Sequence, residues 1–147
     1  MALTGIWLNE LNSVMVLIED AHHGLTGKYR SIVGRDPHVR DLAGRTNYFD
    51  GNKQMVGFAI CFEIANPAPS SGHTSICAWS GWYKKHSGGR EEIDTHWLLT
   101  VNELDPKDEW GSHLIGEDMF VKVLDEARED ILTDDQMLKE LHERSKG

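Results

Sequence analysis

What most constrains this chain is its punctuation. Turn signals recur at Asp20 to Gly24, Gly34 to Pro37, Asp50 to Lys53, Asn66 to Gly72, His86 to Gly89 and Asp105 to Asp108. Gly, Asn and Asp gather there because they tolerate the left-handed or self-capped backbone of a tight turn, and Pro because its φ is already set. The stretches between are rich in β-branched and aromatic residues and run roughly over 4–10, 13–19, 25–33, 41–49, 54–64, 73–84, 91–102 and 112–124. Eight strand-length segments on short connections predict an all-β fold, either an up-and-down antiparallel barrel or a sandwich. The longest connections then lie at the ends of the fold, where ligand loops belong.

Length and charge narrow the rest. At 147 residues the chain makes one domain, with a core large enough to need neither disulfide nor metal. Its formal net charge is −9, and no Lys/Arg cluster offers phosphates a basic patch, which argues against nucleic acid as a partner. No apolar run approaches the ~20 residues that span a bilayer, so no membrane helix is expected. The strand pattern begins by Thr4, leaving no room for a secretory leader in this sequence; a leader already removed would leave the same pattern, and the compartment stays open. Two cysteines are too few for a disulfide framework. Strand phase groups Cys77 with Trp79 and sets Cys61 against Phe58 and Phe62. With those aromatics inward, Cys77 is interior, Cys61 is exterior, and no bridge joins them. The eight histidines are scattered, without the paired spacing of a zinc site.

Two segments depart from a simple barrel with a wetted exterior. Met55 to Phe62 is apolar on both faces, which predicts that its outer face is covered by another subunit, with the tail as the alternative cover. After Leu124 the period changes. Thr133-Asp134-Asp135-Gln136 reads as a capping box ahead of Met137, Leu138 and Leu141 on one face, so a short helix is expected. Residues 125–147 hold eight acidic and four basic side chains, and the expectation for them is a solvated, partly frayed appendage.

The candidate site begins in the segment Thr4 to Ser13. Here the chain reverses around Glu10 to Asn12 and brings Asn9 and Ser13 side by side at one mouth of the fold. Tyr29 and Ser31 are two apart and share a strand face. Four neutral hydrogen-bonding groups among aromatic residues describe a pocket for a small, neutral, hydrogen-bonding head group. For Asn9 and Ser13 the structural alternative is a turn that caps its own backbone.

Five motifs then occur in order. They are Thr4-Gly5-x-Trp7-x-Asn9-x-Leu11-x-Ser13, Leu25-Thr26-Gly27-x-Tyr29-x-Ser31, Trp79-Ser80-Gly81, Thr95-x-Trp97-Leu98-Leu99 and Gly116-x-Asp118-x-Phe120. In them the chain resembles the avidin/streptavidin family over residues 3–124. The resemblance implies an eight-stranded antiparallel up-and-down β-barrel, with the acidic tail of 125–147 outside it. It implies a protein that is not an enzyme and that holds biotin non-covalently with no cofactor. In that likeness Asn9, Ser13 and Tyr29 donate to the ureido oxygen of biotin, while Ser31 and Asp118 accept from its two N–H groups. Phe62, Trp79 and Trp97 wall the bicyclic ring, with Leu11, Val33 and Leu99 between them. Trp110 closes the pocket of a neighbouring subunit in a homotetramer, and a secreted location fits the family.

The departures from the family pattern are as informative. Phe62 stands where the family commonly has tryptophan, and Cys77 where it usually has the threonine beside the ligand sulfur. Ser75 matches a serine that contacts the ligand carboxylate. The loop Gly34-Arg35-Asp36-Pro37 carries two charges that are atypical there; Arg35 is placed to pair with the valerate carboxylate, and Asp36 opposes it. Glu117, out of phase with Asp118, is expected at a subunit boundary with His96 or His113 as partner. Trp7 is expected in the barrel floor and Trp82 on the outside. A lipocalin-like carrier would line its interior with aliphatic side chains, and a protease-inhibitor or structural barrel would fill it; the polar set Asn9, Ser13, Tyr29, Ser31 and Asp118 suits neither. An enzyme would need an activated nucleophile, and Cys77 has no histidine in strand phase to serve as its base.

Overall fold

The computed structural model describes residues 1–32, 38–50, 53–63, 74–101 and 113–146, the side chains of 48–50 and 63 excepted. Eight strands follow one another: β1 (Gly5–Leu8), β2 (Val14–Glu19), β3 (Gly24–Arg30), β4 (Arg40–Asp50), β5 (Lys53–Glu63), β6 (Thr74–Lys85), β7 (Glu91–Val101) and β8 (His113–Leu124). Each pairs antiparallel with the next, and β8 returns to pair with β1, which decides for a closed barrel over a sandwich. Closure also removes every free sheet edge. The turn chemistry is visible where it matters: at the β2–β3 hairpin the Asp20 carboxylate accepts from the backbone N–H of His22 (2.8 Å) and of Gly24 (2.9 Å).

Alternation sorts the side chains as expected. Trp7, Met15, Phe58, Cys77, Trp79 and Phe120 are buried in the barrel interior, whereas Cys61 and Trp82 face outward. One end of the barrel is sealed by polar groups that satisfy each other. Glu19 accepts from the Leu3 backbone N–H and from the Gln54 amide, both at 3.1 Å, and Gln54 also donates to the Thr46 hydroxyl at 3.1 Å. The Trp7 indole N–H donates to the Leu3 carbonyl (3.0 Å). Lys122 lies 5.2 Å from the Trp7 ring centroid and donates to the Ala2 carbonyl at 2.5 Å and to Glu91 at 3.4 Å. Glu91 also accepts from the Tyr83 hydroxyl (2.7 Å).

The tail is not the solvated appendage that its charge suggests. A 3-10 turn, Asp130–Leu132, and a helix, α1 (Asp135–Ser145), pack onto the outside of β1 and β2. Ile131, Leu132, Leu138 and Leu141 are buried there against Ile6, Leu8, Val14 and Val16. Burying each such aliphatic side chain contributes about 1.5–3 kcal/mol, which fixes a segment that charge alone would leave in water. The helix cap also sits one residue later than the capping box implies. Asp134 is the N-cap and accepts from the backbone N–H of Gln136 and Met137. The Thr133 hydroxyl is instead engaged with the carbonyl of Asp130 at 3.0 Å. β1 and β2 are thus the strands buried on both faces by the tail, while the outer positions of β5 remain beyond its reach. Met55, Gly57 and Ala59 there are half-buried, and Cys61 is exposed.

Candidate functional site

At the other end of the barrel the β1–β2 hairpin builds the first part of a site. The Asn9 backbone N–H donates to the Ser13 carbonyl (3.3 Å) and that of Asn12 to the Asn9 carbonyl (3.0 Å). Asn12 adopts φ 65, a conformation that asparagine tolerates better than most residues. The Asn9 side-chain oxygen accepts from the backbone N–H of Leu11 (3.0 Å) and of Ser13 (2.9 Å), so the self-capping alternative holds for that atom. Self-capping orients the amide rather than excluding a site. With its oxygen on the backbone, the NH2 donors of Asn9 turn inward, where the amide bonds the Tyr29 hydroxyl and the Asp118 carboxylate. The Ser13 hydroxyl also bonds Tyr29 and accepts from the Ile32 backbone N–H at 3.3 Å. Asn9, Ser13 and Tyr29 are 6%, 1% and 4% exposed, so these polar groups are inside the barrel.

Two ionisable groups in this cluster are tuned by burial. Burial holds the Tyr29 phenol well above its ordinary range, against the opposing bond from Ser13, so Tyr29 keeps its O–H at neutral pH. Asp118, on β8, is raised above the usual carboxylate range, chiefly by burial and further by the charge of Glu10; bonds from Trp79 and Asn9 oppose the shift. The Trp79 indole N–H donates to Asp118 Oδ2 at 2.9 Å, and the Thr95 hydroxyl donates to the Asp118 carbonyl at 2.9 Å. Among the described residues no cation pairs with this carboxylate.

Aromatic rings form the walls. Trp79 stacks on Phe58 with centroids 5.2 Å apart and planes 16° apart. Tyr29 lies 5.6 Å from Trp79, and Phe62 meets Tyr29 edge-on at 5.8 Å. Phe62, Trp97 and Leu99 are half-buried and pack against the interior cluster. Trp97 needs Gly116 opposite it on β8: a Cβ there would stand 2.3 Å from the indole ring. Phe58 is absent from the sequence-derived site set although it shares strand phase with Phe62; it was legible as interior, but its stacking under Trp79 was not.

The remaining candidates fall out unevenly. Cys77 is buried, and burial followed by the Asp118 charge pushes its thiol up to about 12, the opposite of an activated nucleophile. Ser31 follows β3, and Ser75 stands opposite Phe62 in register; both are half-buried. Leu11, expected between the aromatic walls, is 54% exposed at the hairpin tip, because the turn that caps on Asn9 swings residues 10–12 out of the strand alternation. Val33, Gly34, Arg35, Asp36 and Trp110 lie outside the described residues. Glu117 pairs with His96 at 3.0 Å, and His113 bonds the Thr100 hydroxyl at 3.1 Å. Among the described residues no cluster of three or more His, Cys, Asp or Glu side chains is arranged to hold a metal ion.

Known proteins share this architecture. The biotin-binding protein from chicken superposes with a TM-score of 0.69 and 26% sequence identity, over 82% of this chain and 95% of that one. Xenavidin superposes with a TM-score of 0.68 and 24% identity, over 82% of this chain and 96% of that one, a likeness of fold. The profile of the avidin family matches residues 1–123 and ends where the tail begins. With the closed barrel, its aromatic-walled mouth and that match together, the chain belongs to the avidin family, a family of non-enzymatic binding proteins.

Proposed function

We propose that this protein binds biotin non-covalently in the mouth of its barrel. The observation that carries the reading is the meeting of Asn9, Ser13, Tyr29 and Asp118 at one aromatic-walled point inside an avidin-family barrel. Asn9, Ser13 and Tyr29 donate to the ureido oxygen; all three are neutral, and none has a hydrogen that must be lost first. Ser31 and Asp118 accept from the ureido N–H groups, and the Asp118 bond is the strongest because its acceptor is charged. Phe62, Trp79, Trp97 and Leu99 enclose the ring, with Phe58 beneath Trp79. Cys77 and Ser75 serve the ligand sulfur and its acid tail, and Val33, Gly34, Arg35 and Asp36, outside the described residues, complete the proposed contacts to that tail. The preformed bonds among Asn9, Ser13, Tyr29 and Asp118 reduce the ordering cost of binding.

Titrating the chain with biotin while following tryptophan fluorescence tests the reading. Saturable quenching or a blue shift at one biotin per chain is expected, because Trp79 and Trp97 line the site. An unchanged spectrum together with no binding at millimolar biotin would remove it.

The same reading includes assembly into a homotetramer, in which Trp110 of a neighbouring copy closes each pocket. Support comes from the outer face of β6 to β8, where Ile76, Leu98 and Ile115 are 47%, 48% and 81% exposed. Light scattering should give four chains per particle, and a single-chain mass with biotin binding intact would contradict the assembly.

A further inference from the structure

We infer that the C-terminal tail is part of the binding apparatus, with His142 and Arg30 as positioning residues that hold the hairpin and strand end carrying the polar site. The inference rests on the biotin reading above and concerns the tail, which lies beyond the family match ending at 123. Strand alternation makes the connection. Asn9, Ser13 and Tyr29 point inward, so their chain neighbours Leu8, Val14 and Arg30 point outward, and the tail grips these outward neighbours. Leu8 and Val14, the last pair of the β1–β2 ladder before the hairpin, are buried against the tail cluster. Arg30 donates to the Leu132 carbonyl at 2.7 Å and lies 3.6 Å from Asp135.

The hairpin tip is held at both sides. Glu10 accepts from the Met119 backbone N–H at 2.8 Å, next to Asp118. On the tail side, His142 Nε2 lies 3.2 Å from the Asn12 carbonyl. A carbonyl only accepts, so Nε2 carries the hydrogen in this contact. Asn12 is the residue at φ 65, and besides the hairpin's own backbone bonds, two bonds to Asn9 Oδ1 and one from His142 hold the backbone around it. Releasing the His142 bond frees a carbonyl at the centre of the turn whose geometry aims the Asn9 amide. A tail that merely covered apolar surface would need neither polar contact.

The test compares the intact chain with His142→Ala and His142→Gln, the second retaining an amide donor near the Nε2 position. Hydrogen exchange of the Leu11 and Ser13 amides in the ligand-free protein reports the hairpin. Biotin dissociation reports the site, with melting temperature as the control for global stability. In His142→Ala both exchange and dissociation should accelerate about tenfold, equivalent to about 1.4 kcal/mol, and His142→Gln should restore most of each. The ratio of affinities for biotin and for an analogue with the ureido oxygen replaced by an imine nitrogen should also fall in His142→Ala, since Asn9 and Ser13 serve that oxygen. Faster exchange with unchanged dissociation and an unchanged ratio overturns the inference, as does no change in either. An intact chain that binds no biotin fails the underlying reading instead, and that is seen before any variant is made.

Discussion

The two ends of the barrel are both lined with buried polar groups, yet they are wired differently. At the sealed end Lys122 reaches Glu91 at 3.4 Å and Glu91 also accepts from Tyr83, while Glu19 is engaged at both oxygens, one by the Leu3 backbone N–H and the other by the Gln54 amide. At the mouth the carboxylate of Asp118 meets only neutral donors among the described residues, Trp79 and Asn9, and burial raises its pKa. The Glu91–Lys122 pair and the doubly held Glu19 belong to the architecture; Asp118, at the aromatic-walled mouth and without a cation among the described residues, is poised for something further. The difference separates stability from binding and predicts that mutations at the two ends will have opposite signatures.

The largest effect is expected at the mouth. Asp118→Ala should weaken biotin binding by about 2–5 kcal/mol, because a ligand N–H loses a charged acceptor. Ligand-free Asp118→Asn should be at least as stable as the intact chain in urea, since a buried carboxylate is replaced by a neutral amide. Calorimetry showing full affinity in Asp118→Ala would take this residue out of the site. The sealed end should behave inversely: Lys122→Ala strands Glu91 and costs about 2–4 kcal/mol of folding stability with biotin affinity retained. Equal losses of affinity and stability in either variant would erase the distinction between the ends.

Two smaller effects sharpen it. In the proposed site biotin binds the ionised form of Asp118, and the ligand-free protein holds that proton more tightly than an ordinary carboxylate does. Affinity should therefore fall on acidification. The fall begins above the usual value of 3.8 and approaches about tenfold per pH unit. Asp118→Asn should lack this slope; an identical pH profile in that variant would assign the proton elsewhere. Last, the Cys77 thiol, at about 12, should react slowly with alkylating reagents at pH 8 and more slowly still with biotin bound, while exposed Cys61 reacts in both states. Labelling of Cys77 that ignores biotin would place it away from the ligand.

The barrel and most of the mouth were legible because strand alternation has a strict period of two. Once Trp79 was inward, Cys77 followed it, and Cys61 and Trp82 were outward. Tyr29 on β3 and Asp118 on β8 face the interior for the same reason, and the β1–β2 hairpin brings Asn9 and Ser13 to them. The tail was not legible. Its helix pattern showed an apolar face but not what that face would meet, and the eight acidic residues suggested solvent. The signal lay elsewhere, in the outward positions Ile6, Leu8, Val14 and Val16, which no solvated barrel face would carry. The expected two-sided strand, β5, has only small residues at two of its outer positions, Gly57 and Ala59, and does not attract the tail. Leu11, set among the walls by the family resemblance, is exposed because it lies in the turn around Glu10 to Asn12, and the helix cap shifted because Thr133 and Asp134 are both able to cap.

The most direct test of the central claim follows the indole N–H resonances of the five tryptophans as biotin is added. Trp79 donates to Asp118 at the mouth, and Trp7 donates to the Leu3 carbonyl at the sealed end. One equivalent of biotin should move the Trp79 resonance strongly and leave that of Trp7 in place. Movement of Trp7 with Trp79 unchanged, or no movement of either, would contradict a biotin site in the mouth of this barrel.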